Sequence, residues 1–226
     1  MVVCALCCIV SVPPCVQAVD LQCSRGGQLI TSSDSDVQVV ADCADLGQIT
    51  LGEFNRPINI TITNSVVGGF RIMSHLRDNS NIVIQNCEVS KGFHFVQRTI
   101  VDSSILIENS TVSYNSTTLG LSTNAILFGE SSIINTTIKV IGGRVYSKSA
   151  ASEESHGVSL RGCSITDSAL SIINGATIDV VSGRVAVAIF IHSSTLLRSN
   201  ISISESSVSA RGGTFSGMIQ MLNSTL

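Results

Sequence analysis

Tryptophan is absent from the 226 residues, tyrosine occurs twice, and proline and lysine three times each. Charged residues make up only 13%, and with helix formers such as Lys scarce against abundant Ile, Val, Ser, Thr and Asn, the composition argues against a helical bundle or a coiled coil. The net charge of −3 comes without a cluster of Lys or Arg, so nothing predicts a nucleic-acid partner or an anionic membrane surface. There is no Gly-x-Ser-x-Gly elbow and no G-x-x-x-x-G-K-S/T phosphate loop, which removes two large enzyme classes.

What the chain has in quantity is small, polar or β-branched. Serine occurs 36 times, threonine 16 and asparagine 13, alongside abundant Ile and Val. That mixture favours pleated strands joined by polar turns.

Residues 1–18 read as a secretory signal: an apolar run from Val2 to Val12, a break at Pro13-Pro14, and small residues at Val16 and Ala18. The run spans about 16 Å at 1.5 Å per residue, short of a hydrocarbon core of about 30 Å, so no membrane span is expected besides this leader. Its removal takes away Cys4, Cys7, Cys8 and Cys15 and leaves Cys23, Cys43, Cys87 and Cys163. None of the spacings among these four is a zinc pattern such as C-x-x-C, and no metal or other cofactor is expected. Four cysteines allow three pairings; Cys23 and Cys43 bracket a short glycine-containing segment and predict one local disulfide in an oxidising compartment.

Past Pro57 one phrase keeps returning, roughly Ile-x-Ile-x-Asn/Ser-Ser/Cys-x-Val/Ile. It begins at Ile60, Ile82, Ile105, Ile126, Val158, Ile189 and Ile219, at intervals of 22, 23, 21, 32, 31 and 30 residues. Apolar residues at i and i+2 followed by a polar break describe a short half-buried strand and a bend. Further strands at Thr137, Thr177 and Ile201 run toward glycine turns. The expected fold is all-β, a right-handed parallel β-helix: 19–57 a short N-terminal cap, 58–226 coils, truncated at the C-terminal end. Leucine-rich repeats would need a Leu grid that is missing, and a β-sandwich would not require the same phrase to recur.

If each phrase is one coil, Ile60, Ile62, Ile82, Ile84, Ile105, Ile107, Ile126, Phe128, Val158, Leu160, Ile189 and Ile191 share one continuous core face. Asn64, Asn86, Asn109, Glu130 and Asn223 would then form one ladder of stacked side chains across buried bends. Cys87 and Cys163 would share the next column, three coils apart, as separate buried thiols beyond disulfide reach.

A glycosidase of this fold needs paired carboxylates. Asp78 and Asp102, with Arg77 and Arg98 nearby, are the candidates, set against the plainer reading of solvated loop charges. Ser155-His156-Gly157 and Arg71-Ile72-Met73 only approximate polygalacturonase signatures, and His75 and His94 are expected to face water. Six Asn-x-Ser/Thr sequons occur, of which Asn59, Asn115, Asn135 and Asn200 are the expected glycan sites; Asn109 and Asn223 conflict with an inward ladder.

The opening series Val19-Asp20-Leu21-Gln22-Cys23, Gly26-Gly27, Asp42-Cys43 and Arg56-Pro57 resembles the start of the dispersed gene family 1 surface proteins of trypanosomatid parasites. The resemblance covers about 57 residues well and the repeats only in style. It implies a pectin-lyase-like β-helix on the cell surface, a proposed adhesive role and no catalytic residues. The chain departs from that family in ending at Leu226 without a C-terminal membrane-spanning run. The expectation is therefore a secreted or surface-displayed β-helix glycoprotein, a monomer, that binds a host-cell or extracellular-matrix protein or glycan without turnover. A polysaccharide lyase or glycoside hydrolase, or an inactive relative, is the alternative.

Overall fold

The computed structural model describes residues 19–20, 28–30, 37–52, 54, 57–73, 75–77, 79–118, 122–150 and 153–225. Among these the chain is all strand and turn, wound into a parallel β-helix. Each coil runs through up to four parallel sheets in the same order. Asn59–Thr63 belongs to sheet I, Val66–Val67 to sheet II, Gly69–Ile72 to sheet III, and in later coils a strand such as Thr99–Val101 belongs to sheet IV. Sheets I and III contain eight strands each, sheet II six and sheet IV four. Stacking begins before residue 58: Val37–Ala41 pairs with Asn59–Thr63, and Gln48–Leu51 with Gly69–Ile72. Val19–Asp20 in turn pairs with Val37–Ala41 and Gln28–Ile30 with Gln48–Leu51, so the described strands of the 19–57 segment are already coil.

All twelve residues expected in the core are buried, but they do not form one face. Ile60, Ile82 and Ile105 stack in sheet I and continue to Ile138, Leu170 and Ile201. Ile126 continues a different column, Ile49, Phe70, Phe93, Ile126, Val158, Ile189, in sheet III. The interval from Ile105 to Ile126 thus carries the chain from one sheet to another and is not a coil. Coils lengthen instead, from 22 residues between Cys43 and Ser65 and 23 between Cys87 and Ser110 to 33 between Arg98 and Ser131. Sheet II strands grow from the two residues of Glu88–Val89 to the five of Thr111–Asn115, and sheet III strands from the four of Phe93–Val96 to the seven of Thr123–Gly129. The solenoid has narrow coils followed by wide ones, with a step between.

Three corners, I–II, III–IV and IV–I, share one construction. A residue with positive φ turns the chain, and a small hydroxyl or thiol residue follows, except where Arg98 follows Gln97 and Gly175 follows Asn174. Every described non-glycine residue with positive φ lies at one of these corners, among them Asn64 (49°), Asn86 (53°) and Asn109 (46°) at I–II, Glu130 (48°) and Asn223 (50°) at III–IV, Asp102 (47°) and Asn135 (45°) at IV–I. Asn and Asp tolerate this region better than other L-residues, which explains their supply here. The following Ser donates to the carbonyl two residues back and accepts the N–H of its counterpart one coil earlier. Ser65 Oγ donates to Thr63 O at 2.7 Å and accepts from Cys43 N at 3.1 Å. A buried bend thereby keeps its backbone groups paired. Gly142 and Gly143 substitute for the pair in one coil; a Cβ on Gly143 would collide with the Ser110 backbone, and its φ is 68°.

Cys87 and Cys163 take the small position at different corners, I–II and III–IV, so the shared column is corrected. Both are free and buried. The Cys87 thiol donates to Gln85 O at 3.1 Å and Cys163 to Phe128 O at 3.2 Å, each doing the work of a serine. Burial raises both thiol pKa values, which disfavours the reactive thiolate.

The ladder is likewise shorter and outward. Asn86 Nδ2 donates to Asn64 Oδ1 at 3.3 Å, and Asn64 Nδ2 to Asp42 Oδ1 at 3.1 Å, all exposed. Glu130 and Asn223 stand at another corner. The reason is geometric: a residue with positive φ at a convex corner projects its side chain to solvent while its small successor turns inward.

Candidate functional site

Asp102 stands at the exposed IV–I corner. Its carboxylate accepts a 2.6 Å hydrogen bond from Asn135 Nδ2 one coil on, and its carbonyl accepts from Asn79 N at 2.8 Å. Asn79, Ser80, Asp102, Ser103, Ser104 and Asn135 line a shallow groove of about 530 Å3 along this corner. Asp78 lies outside the described residues. Arg77 is exposed, and its carbonyl accepts from Ser80 Oγ at 2.7 Å. Arg98 belongs to the III–IV corner, across the Thr99–Val101 strand; its Nη1 donates to Gln97 O at 3.0 Å and its Nε is buried without a partner. The fold therefore separates Arg98 from the Asp102 groove, and among the described residues the Asp102 carboxylate meets the Asn135 amide. Further along the same corner Arg198 clasps Asp167 at 2.6 and 2.7 Å, which holds that carboxyl below its ordinary pKa. Among the described residues no group of three or more His, Cys, Asp or Glu could hold a metal.

The expected glycan sites Asn59, Asn115, Asn135 and Asn200 are all exposed, and so are Asn109 and Asn223. Asn59 and Asn200 open strands of sheet I, Asn115 closes a strand of sheet II, and the other three occupy corners. The conflict foreseen for Asn109 and Asn223 disappears, because corner amides point outward. Cys43 is disulfide-bonded. With Cys87 and Cys163 free, its partner is outside the described residues, as is Cys23.

A second hollow, of about 230 Å3, opens where the narrow coils meet the wide ones. Arg71 and His94 are adjacent on the outer face of sheet III. Lys91, three residues before His94, is bridged to Tyr114 of the longer coil. Lys91 leads into Gly92, whose φ of 74° places a Cβ against the Ala125 carbonyl at 2.8 Å, so only glycine fits. The His94 ring stacks on Tyr114 at 5.6 Å, and its Nε2 meets the Asn124 carbonyl at 3.0 Å. A carbonyl can only accept, so the proton is on Nε2 and Nδ1 is the acceptor. Burial, more than the neighbouring Arg71 charge, lowers the His94 pKa. His94 is thus half-buried and paired; His75 is exposed, and its Nδ1 accepts the Thr99 N–H at 3.0 Å.

Neither feature carried a motif. Arg71, Lys91, His94 and Tyr114 come from two sheets, and only the step in coil width brings them together.

On the outer face of sheet III in the wide coils, His156 is fully buried and stacks on Phe190 at 4.3 Å. Its Nδ1 lies 3.1 Å from Arg161 Nη2, which donates, and 3.2 Å from Asn124 Oδ1, which accepts. Its Nε2 has no hydrogen-bond partner, with Glu154 Oε2 at 3.9 Å. Burial, reinforced by the Arg161 charge, takes the His156 pKa down to about 3.

Compared with known proteins, the chain matches no family model, no curated protein and no solved structure. Among the described residues no helix is long and apolar enough to cross a membrane.

Proposed function

We propose that this chain is a secreted or surface-displayed β-helix glycoprotein with a structural and adhesive role, binding a protein or glycan of a host cell or extracellular matrix without turnover. One observation carries the reading. All six sequon asparagines are exposed on corners and strand ends, whereas the coil interior is filled with apolar side chains. Glycans on such positions decorate the rod without disturbing the columns that hold it together. The Cys43 disulfide is consistent with an oxidising compartment. The likeness of the opening residues to the dispersed gene family points to the same surface setting.

Expression with residues 1–18 intact in a eukaryotic secretory host tests this reading. The protein is expected in the medium, with glycans at Asn59, Asn115, Asn135 and Asn200 by peptide mapping, a Cys23–Cys43 bridge, and retention on matrix-coated surfaces. Unmodified protein retained in the cytosol contradicts it.

A further inference from the structure

We infer that the hollow at the step between narrow and wide coils binds the anionic group of an acidic sugar, a carboxylate or sulfate on a glycan chain. The inference rests on the binding role proposed above and gives it a location and a ligand chemistry.

Charge is the first argument. The chain has 13 Lys and Arg against 16 Asp and Glu, so an unneutralised pair of cations is unusual on this surface. Most described cations in the wide coils are paired: Arg144 and Arg211 with Asp179, Arg184 with Glu154, Arg198 with Asp167. Arg71 and Lys91 are exposed, line the same hollow, and make no ion pair with a described residue; no acidic side chain among the described residues lines it. Guanidinium and ammonium groups converging on a concavity suit an oxyanion, which Arg can engage with two parallel hydrogen bonds.

The remaining lining suits a sugar ring. Tyr114, half-exposed and backed by His94, offers an aromatic surface for the C–H face of a pyranose. Gln48 supplies an amide donor and acceptor, and His94 Nδ1 an acceptor for a hydroxyl. A hollow of about 230 Å3 is matched to one or two sugar units rather than to a folded partner. Its groups are held in place: Gly92 fixes the turn beneath His94, and the Asn124 carbonyl fixes the ring.

Calorimetric titration of the full secreted protein distinguishes the sources of the anion. The probes are an oligogalacturonate with carboxylates only, a carrageenan oligosaccharide with sulfates only, and an uncharged galactan oligomer of equal length. At least one charged oligomer is expected to bind, more weakly as salt rises, and the uncharged one at least about tenfold more weakly. Arg71→Gln and Lys91→Gln should each weaken binding about tenfold or more, with unchanged thermal unfolding because both side chains are exposed; Tyr114→Ala should weaken all charged probes alike. Arg144→Gln, on another face, should leave affinity as it is. Charged-oligomer binding that survives Arg71→Gln and Lys91→Gln overturns the inference. So does no binding of either charged probe; if matrix retention persists in that case, the adhesive role stands without this hollow.

Discussion

Replacing Phe93 by alanine is expected to lower the free energy of unfolding by about 3 to 5 kcal/mol, a large share of the 5 to 15 kcal/mol typical of a domain. Phe93 is fully buried in the sheet III column, stacked on Phe70 at 4.7 Å and tilted against Phe95 at 5.0 Å, which itself stacks on Phe128 at 4.9 Å. Truncation removes the apolar transfer energy and leaves a cavity that rigid rungs above and below cannot close. The site is also where coil width changes, so the loss falls on the joint between narrow and wide coils. Phe93→Leu, which keeps most of the volume, should cost far less. Urea denaturation measures both; a loss below about 1 kcal/mol for Phe93→Ala would place the side chain outside the core.

Acid should destabilise the protein well before its carboxylates titrate fully. His156 has a folded pKa near 3 and an ordinary value of 6.5, so between these limits the unfolded chain binds a proton that the native state refuses. The stability due to neutral His156 is complete above about pH 6.5 and falls as pH drops toward 3, at up to about 1.4 kcal/mol per pH unit. His94, also lowered by burial, adds a slope of the same sign, and the depressed Asp167 carboxyl adds another at lower pH. His156→Gln, which can still accept from Arg161, should flatten the fall between pH 6 and 4 and leave the His94 part. An unchanged slope in that variant would mean that His156 is protonated in the native state.

The β-helix was legible because Ile-x-Ile followed by a polar break can only alternate on a strand, and Ile60, Ile82 and Ile105 repeat it in register. The misreading began at Ile126 for a physical reason. Corners I–II and III–IV need the same local chemistry, a residue that tolerates positive φ and then a small hydrogen-bonding one, so Asn109-Ser110 and Glu130-Ser131 look equivalent while lying on different edges. The phrase encodes a corner and does not say which sheet precedes it. The aromatic columns were also hidden, since Phe93 and Phe95 replace the expected Ile pair. Of the candidate site residues, Asp102 stands on an exposed corner, Asp78 lies outside the described residues, and Arg98 was assigned near Asp102 by sequence distance alone. Arg71, Lys91, His94 and Tyr114 stayed unremarked as a group because their proximity depends on where the coils widen.

Every position on the outer surface depends on that register, and a cross-linking measurement tests it directly. Leu106 and Lys139 are partners on adjacent rungs of sheet I, and Leu127 belongs to sheet III. Neighbouring parallel strands lie about 4.8 Å apart, within the Cα range of a disulfide. The double variant Leu106→Cys with Lys139→Cys should oxidise to a Leu106–Lys139 bridge found by peptide mapping, and Leu106→Cys with Leu127→Cys should not. A bridge in the second variant and none in the first would contradict the coil arrangement.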